Sequence, residues 1–263
     1  MKFRVLILLG LIPAALTAET GEDALREGWE QFRLAEFNPA VKAFEHGVAQ
    51  TETNPVLQAQ ELYGLAMTWA LRRPGEDPIK AVELYRRAIA VAPSSDAAAW
   101  SLLAIARLQH TYQEVIDKFP AHPAGEEAFL FQEAATLATP QPATALSTTV
   151  ALTCFLKMHP QSPYRGATLK LLAHGYQILG EHENQLAALL EILRTAENDT
   201  DVTIDHAGDY WSIATLAEFD CGNFAVAREF YRKLIAEYPT DQRLFLAKRE
   251  LQHMDEVEAR LRK

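Results

Sequence analysis

Apolar residues recur along this chain in steps of three and four, and almost nowhere in steps of two. Phe224, Ala227, Tyr231, Leu234 and Tyr238 fall on one helical face, as do Val82, Tyr85 and Ile89. A period near 3.6 throughout predicts helices and no strands. Regular punctuation cuts these helices short. Asn38-Pro39, Asn54-Pro55, Asp77-Pro78, His122-Pro123 and Ser162-Pro163 each open an apolar-periodic run. A polar side chain there accepts an orphan N–H, and proline suits the first helical position because its missing N–H would go unpaired anyway. Thr111-Tyr112-Gln113-Glu114 reads as a capping box that restarts a helix after His110. With Pro93, Pro120, Pro160 and Pro239 as ends, the chain divides into about thirteen helices: 21–37, 39–52, 55–73, 78–92, 95–109, 112–119, 123–138, 142–158, 163–179, 181–197, 203–220, 223–238 and 240–261.

The first eighteen residues stand apart from this pattern. Lys2 and Arg4 precede an apolar run from Val5 to Leu16, and Leu16-Thr17-Ala18 supplies small residues before Glu19. That order predicts a secretory signal peptide over 1–18, leaving a helical domain over 19–263. The run is about twelve residues, against roughly twenty for a span, so cleavage is preferred to a retained anchor. No Cys follows the run, so no lipidation site of the bacterial lipoprotein kind is expected. The chain is expected to be exported to the periplasm, with outer-membrane association or secretion as the alternatives. The formal net charge is −10, and −12 without Lys2 and Arg4. An acidic chain with no basic cluster argues against nucleic acid and anionic lipid as direct partners. Cys154 and Cys221 lie nearly two repeats apart, too far for a disulfide to be expected.

The helices come in similar pairs. Residues 211–239 show the pattern best: Trp211, then Gly222-Asn223-Phe224 at a turn, then Ala227, Tyr231 and Pro239. Ala81, Tyr85, Ala88 and Pro93 keep the same offsets, and Gly28, Phe37, Ala40, Phe44 and Gly47 repeat the alternation of small and bulky residues. So do Leu172, Ala173, Tyr176 and Gly180. This pattern resembles the tetratricopeptide repeat (TPR). Small residues mark where two helices approach closely, and aromatics fill the gaps between them. The stretch from Arg72 to Ala88, with its longer turn, is similar to the Sel1 variant. Tyr112 to Pro120 and Phe230 to Pro239 share an aromatic–x–x–x–Ile–x–x–aromatic–Pro phrase, which is similar to TPR proteins of the bacterial envelope. The resemblance implies an all-α, right-handed superhelical α-solenoid of about six helix pairs, closed by a charged C-terminal capping helix.

Catalytic signatures are lacking. There is no glycine-rich phosphate loop, no Gly-x-Ser-x-Gly elbow and no His-Glu-x-x-His. His174 and His182 with Glu181 and Glu183, and His206 with Asp205 and Asp209, read as polar helix ends rather than ligand sets. No catalytic residue, cofactor or metal is therefore expected. In the family the first helix of each pair lines a concave groove. Carried over position by position, that nominates Trp29, Phe32 and Arg33 in the first pair and Glu61 and Trp69 in the second. It nominates Lys170, His174 and Gln177 in the fifth pair and Ser212, Phe219 and Asp220 in the sixth. The large apolar members also suit the core, and the polar ones also suit a solvent-facing surface. The expected function is a non-catalytic scaffold or adaptor of the cell envelope that binds another protein in this groove. The alternatives are an enzyme or accessory domain acting on peptidoglycan, and a structural component that assembles with itself.

Overall fold

A computed structural model describes residues 21–196 and 205–262. The signal peptide expected over 1–18 lies outside the described residues. Thirteen α-helices and no strands occur among them. The chain divides into two compact units, the first ending at His110. In the first unit α1 (Gly21–Arg33), α2 (Phe37–Gln50), α3 (Pro55–Leu71), α4 (Pro78–Val91) and α5 (Asp96–Gln109) each pack on the next. α3 also touches both α1 and α5, so the first helices of successive pairs lie side by side. The second unit holds α6 (Gln113–Lys118), α7 (Pro123–Leu137), α8 (Pro142–Met158), α9 (Arg165–Leu179) and α10 (His182–Ala196). It continues through α11 (Ala207–Thr215), a π-helical turn (Leu216–Asp220), α12 (Phe224–Glu237) and α13 (Leu244–Leu261). Sequential packing repeats here, with an added contact between α7 and α9. The architecture is an all-α solenoid built from helix pairs.

Most of the sequence punctuation does its expected work. Asn54 Oδ1 accepts from Leu57 N at 3.2 Å, Asp77 Oδ1 from Lys80 N at 2.9 Å and His122 Nδ1 from Ala124 N at 3.0 Å. Three readings change. Asn38 lies inside α2, which starts a residue earlier at Phe37, and its Oδ1 instead accepts from Arg72 at 3.0 Å. The capping box at Thr111 does not form, because Tyr112 occupies the cap position and α6 is only one and a half turns long. Ser162 receives Tyr164 N at 3.1 Å and shapes the turn, so α9 begins at Arg165. Gly180 ends α9 with φ 71°, a conformation that glycine adopts without steric cost. The free thiols of Cys154 and Cys221 are separate, as expected from their spacing.

One aromatic ring organises the first unit. Phe44 on α2 is completely buried, and its ring fills the space beside Gly28 of α1 and Gly64 of α3. A Cβ placed on either glycine would sit 2.5 Å from that ring. Trp29 meets the same ring edge-on at 5.3 Å. Ala40, Ala59, Ala81 and Ala88 are also fully buried, which lets the helices approach closely around Leu62 and Tyr85. The second unit uses the same device: Gly175 of α9 lies against the Thr149 methyl of α8, and Ala227 lies beside buried Phe230, Tyr231 and Leu234.

Gly64→Ala tests this interlock with a clear sign. Helix propensity alone makes the change stabilising by about 1 kcal/mol, whereas overpacking against Phe44 costs roughly 1–3 kcal/mol. We expect net destabilisation in denaturant unfolding, and a larger loss of about 3–5 kcal/mol for Phe44→Ala. A stabilised Gly64→Ala protein would contradict the packing described here.

Candidate functional site

An apolar cleft opens between α7 and α9, the first helices of the fourth and fifth pairs. Leu130, Phe131 and Ala134 form one wall, and Ala167 and Leu171 form the other. Glu127, Tyr164, Lys170 and His174 stand at its edges, and it encloses about 490 Å³. The helices are held in place by polar contacts just outside it. Tyr164 Oη donates to Glu127 Oε2 at 3.0 Å, and Ser162 Oγ donates to the buried Glu126 at 2.7 Å. His159 reaches the other Glu126 oxygen at 2.9 Å. Together these pin the turn after α8 to the N-terminal end of α7. Arg165 joins α9 to α10 through Glu191 at 2.8 Å. Hydrogen bonds from Arg194 and then Arg165 draw the Glu191 carboxyl down to a pKa of about 2. Phe131 stacks on Tyr112 with ring centroids 5.6 Å apart, yet keeps 36 % of its surface exposed.

The nominated residues separate by environment. Lys170 and His174 line the cleft, with Gln177 one turn further on at 3.5 Å from His174. Ser212, Phe219 and Asp220 are exposed on α11 and its π turn and do not line it. Ser212 satisfies itself on Gly208 O at 2.9 Å, and Phe219 is 61 % exposed rather than core. In the first unit, Trp29 and Phe32 are half-buried and pack against the core around Phe44, while Arg33 is exposed at the end of α1. Trp69 is half-buried beneath two cations, with Lys80 Nζ 3.8 Å and the Arg72 guanidinium 4.7 Å from its ring centroid. The His206–Asp209 contact at 3.1 Å and the Asp205 bond to Ala207 N at 2.9 Å are the polar helix start expected there.

The α7 wall was not anticipated, because the fourth pair matches the repeat chiefly by periodicity and no positions could be carried onto it. A signal was nonetheless present. Leu130, Phe131 and Ala134 follow helical spacing with an aromatic outside the stripe that meets the core.

Glu61 departs furthest from expectation. It is fully buried on α3, and its carboxyl occupies the space that a Cβ on Gly47 of α2 would need. Neither carboxylate oxygen has a hydrogen-bond partner among the described residues. Burial pushes its pKa up to about 8. It is a core acid and not a groove contact.

No protein-family model matches the chain, and no curated protein does. The fold defines a TPR-like protein, an all-α repeat of helix pairs. Among solved structures, the chain is similar to the crystal structure of PilW, described as a widely conserved type IV pilus biogenesis factor. The TM-score is 0.53 at 17 % identity, and the match covers 89 % of this chain and 97 % of that one. At that identity the likeness defines the fold.

Glu61 generates a pH dependence with a definite sign. Its folded-state pKa lies above that of an exposed carboxylate, so the protein is favoured below about pH 4.5 and loses stability as pH rises towards 8. The loss is on the order of a few kcal/mol. Thermal melts at pH 5.5 and 8.5 should show Glu61→Gln more stable than the natural chain at the higher pH and much less sensitive to pH. An unchanged slope in Glu61→Gln would assign the pH dependence to other groups.

Proposed function

We propose that the protein is a non-catalytic interaction scaffold of the bacterial cell envelope, and that it holds a segment of another protein in the α7–α9 cleft. The cleft itself carries this reading. It is apolar inside, edged by Glu127, Lys170 and His174, and large enough for one or two bulky side chains of a helical or extended segment. The pinned turn at Glu126 supports a surface formed before binding, which lowers the ordering cost of association. The predicted signal peptide supports export. No helix among the described residues is long and apolar enough to cross a membrane. The likeness to a pilus biogenesis factor supports testing pilus-assembly proteins first as partners.

A second surface favours self-association. Leu146, Val150 and Met158 recur on one face of α8 at multiples of four residues, and they are 54 %, 58 % and 69 % exposed. Sedimentation across a concentration series reads this directly. A stable oligomer broken by Val150→Glu would support the structural-component reading.

For the scaffold, partners should be captured from envelope extract on the immobilised protein at two salt concentrations. Phe131→Ala and Leu171→Ala should each weaken retention of a specific partner about tenfold or more, with circular dichroism unchanged. If capture is equal for both variants, the cleft is not the binding surface. If the protein instead releases soluble fragments from peptidoglycan, the non-catalytic reading fails.

A further inference from the structure

Glu218, Glu250 and His253 come together in the second unit, where the π turn after α11 and α13 both border α12. Each offers one ligating atom, and these atoms all lie within 4.8 Å of one another. The Glu218 and Glu250 side chains are only 2 % and 9 % exposed, whereas that of His253 is 53 % exposed. Glu250 and His253 are three residues apart on a regular helix, which places both on one face.

We infer that these three side chains form a binding site for a single divalent transition-metal ion of the Zn²⁺ type. Two observations distinguish the cluster from ordinary surface acidity. First, the outer oxygen of each carboxylate is held by a donor from outside the trio. Tyr231 Oη donates to Glu218 Oε2 at 2.8 Å, and Arg249 binds Glu250 Oε1 at 2.6 Å. The inner oxygens are thereby turned towards the imidazole. Glu218 Oε1 lies 3.5 Å and Glu250 Oε2 lies 3.8 Å from His253 Nδ1. Supporting donors that orient carboxylate ligands in this way are characteristic of metal sites. Second, the inner oxygen belongs to a Glu218 side chain that is almost wholly buried, and among the described residues it is met by that long imidazole contact. With two contacts of 3.5 and 3.8 Å to the imidazole and all ligating atoms of the trio within 4.8 Å, small side-chain shifts would bring the three donors to the bonds of about 2.0–2.2 Å that one Zn²⁺ takes.

The ligand types select the ion. Imidazole with carboxylates suits Zn²⁺, Mn²⁺ or Fe²⁺ better than Mg²⁺ or Ca²⁺, which prefer oxygen alone. Access is open along the outer face of α13, where Glu250, His253 and Glu256 border a shallow cleft. Glu218 sits on a π-helical turn, a rare distortion that recurs at functional sites and here directs a glutamate inward. The ion would join the π turn to the terminal helix and so brace the C-terminal end of this unit.

The test is isothermal titration of the chelator-treated full chain with ZnCl₂, alongside His253→Asn and Glu218→Gln. The natural chain should bind one equivalent. Each variant should bind at least about tenfold more weakly, while His110→Asn and His206→Asn should match the natural chain. Added Zn²⁺ should raise the melting temperature of the natural chain and leave that of His253→Asn unmoved. His253 is half exposed, so its variant remains informative even where Glu218→Gln does not fold. Absence of saturable binding, or equal binding by His253→Asn, would overturn the site and leave a plain imidazole–carboxylate network.

Discussion

The close approach of helices around buried rings is the constraint on which the rest depends. Phe44 is accommodated because residues 28 and 64 have no side chain, and the Thr149 methyl because residue 175 has none. Where small residues recur in step with bulky ones, each pair can nest against the next, and the first helices of neighbouring pairs come side by side. The α7–α9 cleft is a consequence of that arrangement. Two first helices meet, but Ala134 and Ala167 are too small to fill the space between their outer faces.

Most of the fold was legible in the sequence because its determinants are local. Period and proline position define helices, and Asn54, Asp77 and His122 cap them as their chemistry dictates. The errors were also local. Asn38 serves a distant arginine instead of a helix end, and the Thr111 box belongs to a helix too short to need it. The candidate site was only partly legible. Lys170 and His174, which line the cleft, were nominated because their pair matches the repeat well enough for positions to be carried onto it. Phe131 and Leu130 were missed because their pair does not. Glu61 shows the limit of carrying positions across a family, since Gly47 makes room for its carboxyl and draws it into the core.

Two polar groups in this protein gather beside an inter-helix turn or a helix bend. The Glu126–Ser162–His159 group fixes one inter-helix turn, and the Glu218–Tyr231–Glu250–His253 group gathers beside the π turn. Neither set is contiguous in the sequence. Each joins residues from different elements, so neither could be assembled from spacing alone. The first supports the cleft, and the second links the π turn to α12 and α13. Apolar cleft and polar ends therefore have separate roles: one presents a surface, and the others hold the helices that form it.

Site-directed photo-crosslinking in living cells tests the central claim most directly. A photoreactive residue at position 134 or 167 faces the cleft, whereas one at 146 or 150 faces the exposed side of α8. The account predicts a discrete adduct with another protein from the cleft positions and none of that mass from α8. Adducts arising only from α8, with the cleft positions silent, would contradict it.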